Sequence, residues 1–179
     1  KDKFFLKMYM KDLNYYVECF SSLYTMKKCG KPAPHKALLL LSVIDLAERG
    51  FIVDNRIYLS DELICQFNKN VVTYLGDSIL FQPKIVYPFY HMGSEGFWRI
   101  VYNPKVQVEK ITNYSLANLR QKIAYASIDE ELFVLLQNPN IRARLRVVLI
   151  ANYLDKQPTV VDILPQLLLA FSCGVSLIA

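Results

Sequence analysis

The sequence is poor in the features from which an activity is most easily read. Histidine occurs only as His35 and His91, which excludes any centre built from two or more histidine ligands plus a histidine base, an intact HNH nuclease centre included. The cysteines, Cys19, Cys29, Cys65 and Cys173, form no C-x-x-C pair and have no His-x₃₋₅-His partner, so no structural zinc is expected. At this chain length no disulfide framework is needed either. The 6 glycines and 8 prolines follow no period, which excludes a collagen-like or low-complexity chain. The longest uncharged apolar run, Leu167 to Ala179, covers 13 residues. A bilayer span needs roughly 18 or more, so no membrane partner is expected. The patterns G-x-x-x-x-G-K-[ST], G-x-G-x-x-G, G-x-S-x-G and H-E-x-x-H are all missing, which removes the common nucleotide-binding, hydrolase and metalloprotease readings.

What is present describes one basic globular domain. Of 179 residues, 53% are apolar and 21% charged, with 21 Lys and Arg against 16 Asp and Glu, a net charge of +5. That balance favours a polyanionic partner without specifying one. The chain opens on Lys1-Asp2-Lys3 and shows no basic segment leading into an apolar run and a small-residue cleavage site. We therefore expect a cytoplasmic domain excised from a longer protein.

Leu13, Tyr16, Val17, Phe20, Leu23 and Tyr24 recur at helical spacing and predict an amphipathic helix over Asp12 to Tyr24. After the break at Gly30-Lys31-Pro32-Ala33, Pro34 suits the first turn of a second helix. That helix is apolar nearly all round from Leu38 to Leu46, which makes it the central buried one, closed by Gly50. Ile52-Val53 and Ile57-Tyr58-Leu59 predict two short strands around a turn. Ser60, followed by Asp61 and Glu62, predicts the N-cap of a helix running to about Tyr74. Residues 76–91 read as irregular. Phe97 to Tyr102 and the alternating Lys105 to Lys110 predict adjacent strands around Asn103-Pro104. Further helices are expected over Ser115 to Tyr125, over Asp129 to Gln137 with Ser127 as cap, and over Asn140 to Leu154. The fold class is thus α+β, mostly helical with a small antiparallel sheet or hairpin, in a domain of residues 1–156 followed by a hydrophobic tail, 157–179, of unknown role.

Two segments carry chemistry. Lys31-Pro32-Ala33-Pro34-His35-Lys36-Ala37 combines a stiff backbone, basic side chains and an imidazole at a helix N-terminus, an arrangement that attracts anions. The ordinary alternative is a proline-started helix with solvated polar residues. Tyr87-Pro88-Phe89-Tyr90-His91-Met92-Gly93-Ser94-Glu95-Gly96-Phe97-Trp98 surrounds a polar, glycine-flanked tip with aromatics, and its ordinary alternative is a turn before a core strand. Arg142, Arg144 and Arg146 spread over about half a helix circumference, either as a phosphate-contacting face or as a solvated basic one. Lys27, Lys28 and Lys31 form a smaller basic cluster.

Taken in order, the stretches Lys31 to Leu41 and Pro88 to Trp98 resemble the sulfur-binding domain of phosphorothioate-dependent HNH restriction endonucleases. Ile57 to Leu63 and the arginine-rich helix also resemble it, so the likeness spans about residues 10 to 155. The resemblance implies a module that binds duplex DNA in which sulfur replaces one non-bridging phosphate oxygen and that targets a nuclease to it. Ala33, Pro34 and Ala37 would then line an apolar sulfur pocket, with Lys31, His35 and Lys36 contacting phosphates or bases. His91, with Tyr90 and Ser94, is the candidate for groove readout. Arg56 is a further candidate phosphate contact, together with Lys84 and Arg99. On this basis Lys36→Ala should weaken modified and unmodified DNA alike, whereas Ala37→Leu should mainly remove the preference for sulfur. The implied partners are phosphorothioate-modified duplex DNA and a nuclease or effector domain outside these residues, with a homodimer compatible. No cofactor, metal or catalytic residue is assigned to this chain. Three other readings stay open: a generic basic DNA- or RNA-binding domain without sulfur preference, a small hydrolase using His35 or His91 beside Cys29 or Ser94, and a structural role in which the apolar tail mediates assembly and the basic surface is incidental.

Overall fold

A helix that is apolar on every side has to be covered on every side, and this requirement organises the molecule. In the computed structural model, which describes residues 11–76, 81–106 and 111–154, Pro34 caps a helix over His35–Glu48 whose Leu38, Leu39 and Leu41 are wholly buried. With the helix Leu13–Ser21 as α1 and the two-residue strands Lys27–Lys28 and Lys31–Pro32 as β1 and β2, this central helix is α2. Around it follow α3 (Asp61–Leu75), α4 (Val86–His91), β3 (Trp98–Tyr102), α5 (Leu116–Lys122), β4 (Ile123–Ile128), α6 (Glu130–Leu135) and α7 (Pro139–Tyr153), with a 3₁₀ turn over Met92–Glu95. The fold is α+β, with two small antiparallel sheets, β1-β2 and β3-β4. Helices α3, α4 and α7 pack on α2, and α1 packs on α7. No helix among the described residues is long and apolar enough to cross a membrane.

The buried helix carries one polar seam. Asp45 accepts hydrogen bonds from Gln66 Nε2 at 2.8 Å and Asn70 Nδ2 at 2.8 Å on α3, and it is ion-paired with Arg146 on α7. Arg146 also reaches Glu48 at 3.0 Å, and Asn70 donates to Ser42 Oγ at 3.2 Å. Arg146 is thereby committed to the interior, which corrects its place in a phosphate-contacting arginine face. Arg142 donates to the Leu136 carbonyl at 2.7 Å, leaving Arg144 as the exposed member of the three.

Several local expectations are revised by long-range pairing. The helix expected over Ser115 to Tyr125 stops at Lys122, because Ile123 to Ile128 is claimed as β4 by β3, with Trp98 opposite Ile128 and Ile100 opposite Ala126. Of the strand expected at Lys105–Lys110, Lys105 and Val106 lie in a turn after Asn103, residues 107–110 lie outside those described, and the described partner of β3 is β4. The pair of strands expected around Asp54-Asn55-Arg56 reduces to one bridge, in which Ile57 and Ala126 exchange N–H···O bonds of 2.7 and 2.8 Å. Beside it the Asn55 side chain substitutes for a strand, donating to the Ile128 carbonyl at 2.7 Å and accepting its N–H at 2.9 Å. Residues 86–91, read as irregular, form α4, since Pro88 falls in the first turn, where its missing N–H is not required.

Helix ends follow the local chemistry. Ser60 accepts the Leu63 N–H at 3.3 Å and caps α3 as expected. Helix α1 ends at Ser21 rather than Tyr24, because the Ser21 and Ser22 hydroxyls both donate to the Glu18 carbonyl, at 2.9 and 2.7 Å. Ser127 does not cap α6, being paired within β4 opposite Arg99. Asp129 stands at that end, but its buried carboxylate accepts from Lys11 at 2.6 Å, Tyr16 OH at 3.1 Å and Arg99 at 2.6 Å instead of capping. The expected tail, 157–179, lies outside the described residues.

Candidate functional site

The hairpin β1-β2 turns through Cys29 and Gly30, whose φ values of +52° and +77° make the two-residue turn with both central residues left-handed. Gly30 meets this requirement without strain, while Cys29 carries a side chain there. The Ala33 N–H donates to the Met26 carbonyl at 2.7 Å, which extends the ladder and seats the hairpin beside the start of α2. Lys28 stands opposite Lys31 across this hairpin, concentrating positive charge at its surface.

From the other side come α4 and the 3₁₀ turn. Lys36, on the first turn of α2, bridges the two segments: its Nζ donates to Ser94 Oγ at 2.8 Å and is ion-paired with Glu95. Both side chains are nearly excluded from solvent, at 9% and 7% exposure. Glu95 also accepts the Tyr24 backbone N–H at 3.1 Å, and the Tyr24 ring lies 5.9 Å from Lys36 Nζ. Two segments about sixty residues apart in sequence are thus locked together. The lock spends the charge of Lys36 on Glu95, so Lys36 is not the freely available phosphate contact that its sequence position suggested.

Above this ion pair opens a cavity of about 700 Å³. Of the residues expected at the site, Ala33, His35, Lys36, His91 and Ser94 line it. Pro34 and Ala37 are buried behind it, Ala37 without any exposed surface, because both face the core side of α2. Lys31 sits on the hairpin and Tyr90 packs on His91 at 5.2 Å, both outside the lining. Arg56 belongs to a separate cavity of about 230 Å³, where its guanidinium lies 5.5 Å from the Tyr125 ring. Arg99 is tied to Asp129, and Lys84 is exposed on the segment before α4. Tyr87 and Pro88 of the aromatic segment and Lys27 and Lys28 of the basic cluster also line it, and Tyr24, Thr25, Met26, Phe81 and Gln82, which sequence did not mark as site residues, complete the walls. Met26 and Tyr24 are 83% and 80% exposed.

The interior of the cavity is close to electrically neutral. Lys36 and Glu95 compensate each other, and both imidazoles are held below the usual histidine range. Burial does this for His35, and burial followed by the nearby Lys36 charge does it for His91. His35 Nε2 is buried without a hydrogen-bond partner among the described residues, with its ring edge-on to Phe81 at 6.0 Å. Ser94 Oγ donates to the backbone carbonyl of His91 at 3.0 Å and not to an imidazole nitrogen, so no Ser–His nucleophile pair is assembled here. Cys29, the other nucleophile considered, is exposed at the hairpin turn. No protein-family model matches the chain, and no curated protein matches it.

Proposed function

We propose that this domain binds duplex DNA carrying a phosphorothioate and delivers an attached nuclease or effector to it, in the cytoplasm, as part of a restriction system. One observation carries the reading: the two segments on which the resemblance rests converge on a single, mainly apolar cavity edged by lysines. Sulfur is larger, softer and less strongly hydrated than oxygen, so an apolar wall desolvates a phosphorothioate at lower cost than a phosphate. The wall available for that contact is Ala33 with Met26 and Pro88, since Pro34 and Ala37 lie behind the surface. Lys27, Lys28 and Lys31 supply the sequence-independent attraction to neighbouring phosphates.

A second reading, ordinary DNA or RNA held without regard to sulfur, is favoured by the hairpin lysines, Lys28 opposite Lys31, whose attraction for phosphate is blind to sulfur. A titration separates the two. Matched duplexes with and without one phosphorothioate, of each stereoisomer, are titrated at two salt concentrations so that counterion release is factored out. Stereoisomer-dependent preference for the sulfur-bearing duplex at both salts is the expected result. Equal affinities for both duplexes would leave only the generic reading.

A further inference from the structure

We infer that the cavity between the hairpin and α4 takes a whole nucleobase, rotated out of the duplex stack next to the bound linkage. The inference rests on the reading of the domain as a DNA binder and concerns a part of the site that a sulfur atom cannot fill. A single sulfur occupies a volume on the order of that of one water molecule, about 30 Å³ in the liquid. The cavity measures about 700 Å³, inside the range of about 300–1,000 Å³ typical of small-molecule sites.

Three features match the space to a nucleobase rather than to a second anion. The floor is close to neutral, because the one ammonium there, Lys36, is already ion-paired with Glu95 behind the lining and offers little to a further phosphate. The walls present flat apolar surfaces, Tyr24 and Tyr87 among them, on which a heterocycle stacks. His35 Nε2 is buried at the same cavity and has no partner among the described residues, a polar group suited to the edge of an uncharged ring and unsuited to an empty apolar hole. The remaining positive charge lies at the hairpin edge of the cavity, on Lys27 and Lys28, where the backbone of an extruded nucleotide would pass. Enzymes and binders that extrude a base meet the cost of unpairing it, and that cost is smallest when the base is already mispaired.

The test compares three duplexes, fully paired, mispaired and abasic at the nucleotide flanking the linkage, each with and without the phosphorothioate. Expected is tighter binding of the mispaired than of the paired duplex by about tenfold or more. The abasic duplex, which has nothing to stack, should bind about tenfold more weakly than the mispaired one. Tyr24→Ala, at a residue 80% exposed and so safe for folding, should abolish the difference between mispaired and abasic. Equal binding of all three overturns the nucleobase proposal while the ratio between modified and unmodified linkages still reports on sulfur separately. An abasic duplex bound as tightly as the mispaired one also overturns it, because duplex flexibility alone would then explain the gain. A difference that persists undiminished in Tyr24→Ala overturns this cavity as the receptor. Absence of binding to every duplex removes both readings together.

Discussion

Replacing Lys36 with alanine tests whether the pairing beneath the cavity is a structural lock or a DNA contact. The perturbation removes an ammonium that is 9% exposed and leaves Glu95, 7% exposed, with two uncharged donors among the described residues, the Tyr24 N–H at 3.1 Å and the Ser94 hydroxyl at 3.4 Å. Breaking one side of a buried ion pair costs about 3–5 kcal/mol, because the surviving charge is left desolvated and uncompensated. For a domain of this size that corresponds to a fall in Tm of about 10 °C. Urea unfolding followed by fluorescence measures the change, and the double variant Lys36→Met/Glu95→Gln provides the control. The double variant should recover most of the stability, since neither buried charge remains and the side-chain volumes are nearly kept. A Lys36→Ala protein within about 1 kcal/mol of wild type, or a double variant no more stable than the single one, would refute the lock. A lysine that loses DNA affinity without losing stability would be restored to the role its position in the sequence first suggested.

Ala37→Leu should destabilise the fold by about 1–3 kcal/mol in urea unfolding through overpacking, since Ala37 has no exposed surface, and should leave the sulfur preference of the folded protein intact. Ala33→Leu, on the cavity wall, should reduce that preference with little change in stability, measured by the same paired-duplex titration. His35 and His91 have folded pKa values below the unfolded value of 6.5. Their contribution to stability is therefore complete above that value and is lost as pH falls below it, so the urea midpoint should drop between pH 7.5 and 5.5, and less so in His35→Phe. An unchanged midpoint would contradict the burial of His35. Replacing Lys27 and Lys28 together by alanine should flatten the dependence of log affinity on log salt by about two if both reach phosphates, and an unaltered slope would exclude them.

What could be read ahead of the structure divides by the range of the interactions involved. Helices α2, α3 and α7 were legible because their signals are local: an all-apolar run, a serine cap with acidic neighbours, and helical periodicity. Strand β4 was not, because Ile123 to Ile128 continues an apolar pattern that suits a helix equally well, and only the distant β3 decides otherwise. At the site the Pro-His-Lys turn and the segment around His91 stood out, and the structure brings Ala33, His35, Lys36, His91 and Ser94 to one cavity. Tyr24 was absorbed into a helical stripe and Phe81 into an irregular stretch, since neither has a local marker of what it faces. Glu95 lay in plain view, yet nothing nearby in sequence reveals that it neutralises a lysine 59 positions away.

Asp129 has a consequence for the order in which the chain assembles. Its partners Lys11 and Tyr16 lie 118 and 113 residues upstream, so their contacts close nearly the whole described chain into one loop. Contacts of that separation carry the largest loop-closure entropy and offer little to an early folding nucleus. The cluster therefore acts on the lifetime of the native state: with Asp129 in place α1 is clasped to the end of the sheet, and Asp129→Asn should hasten unfolding while refolding keeps its pace.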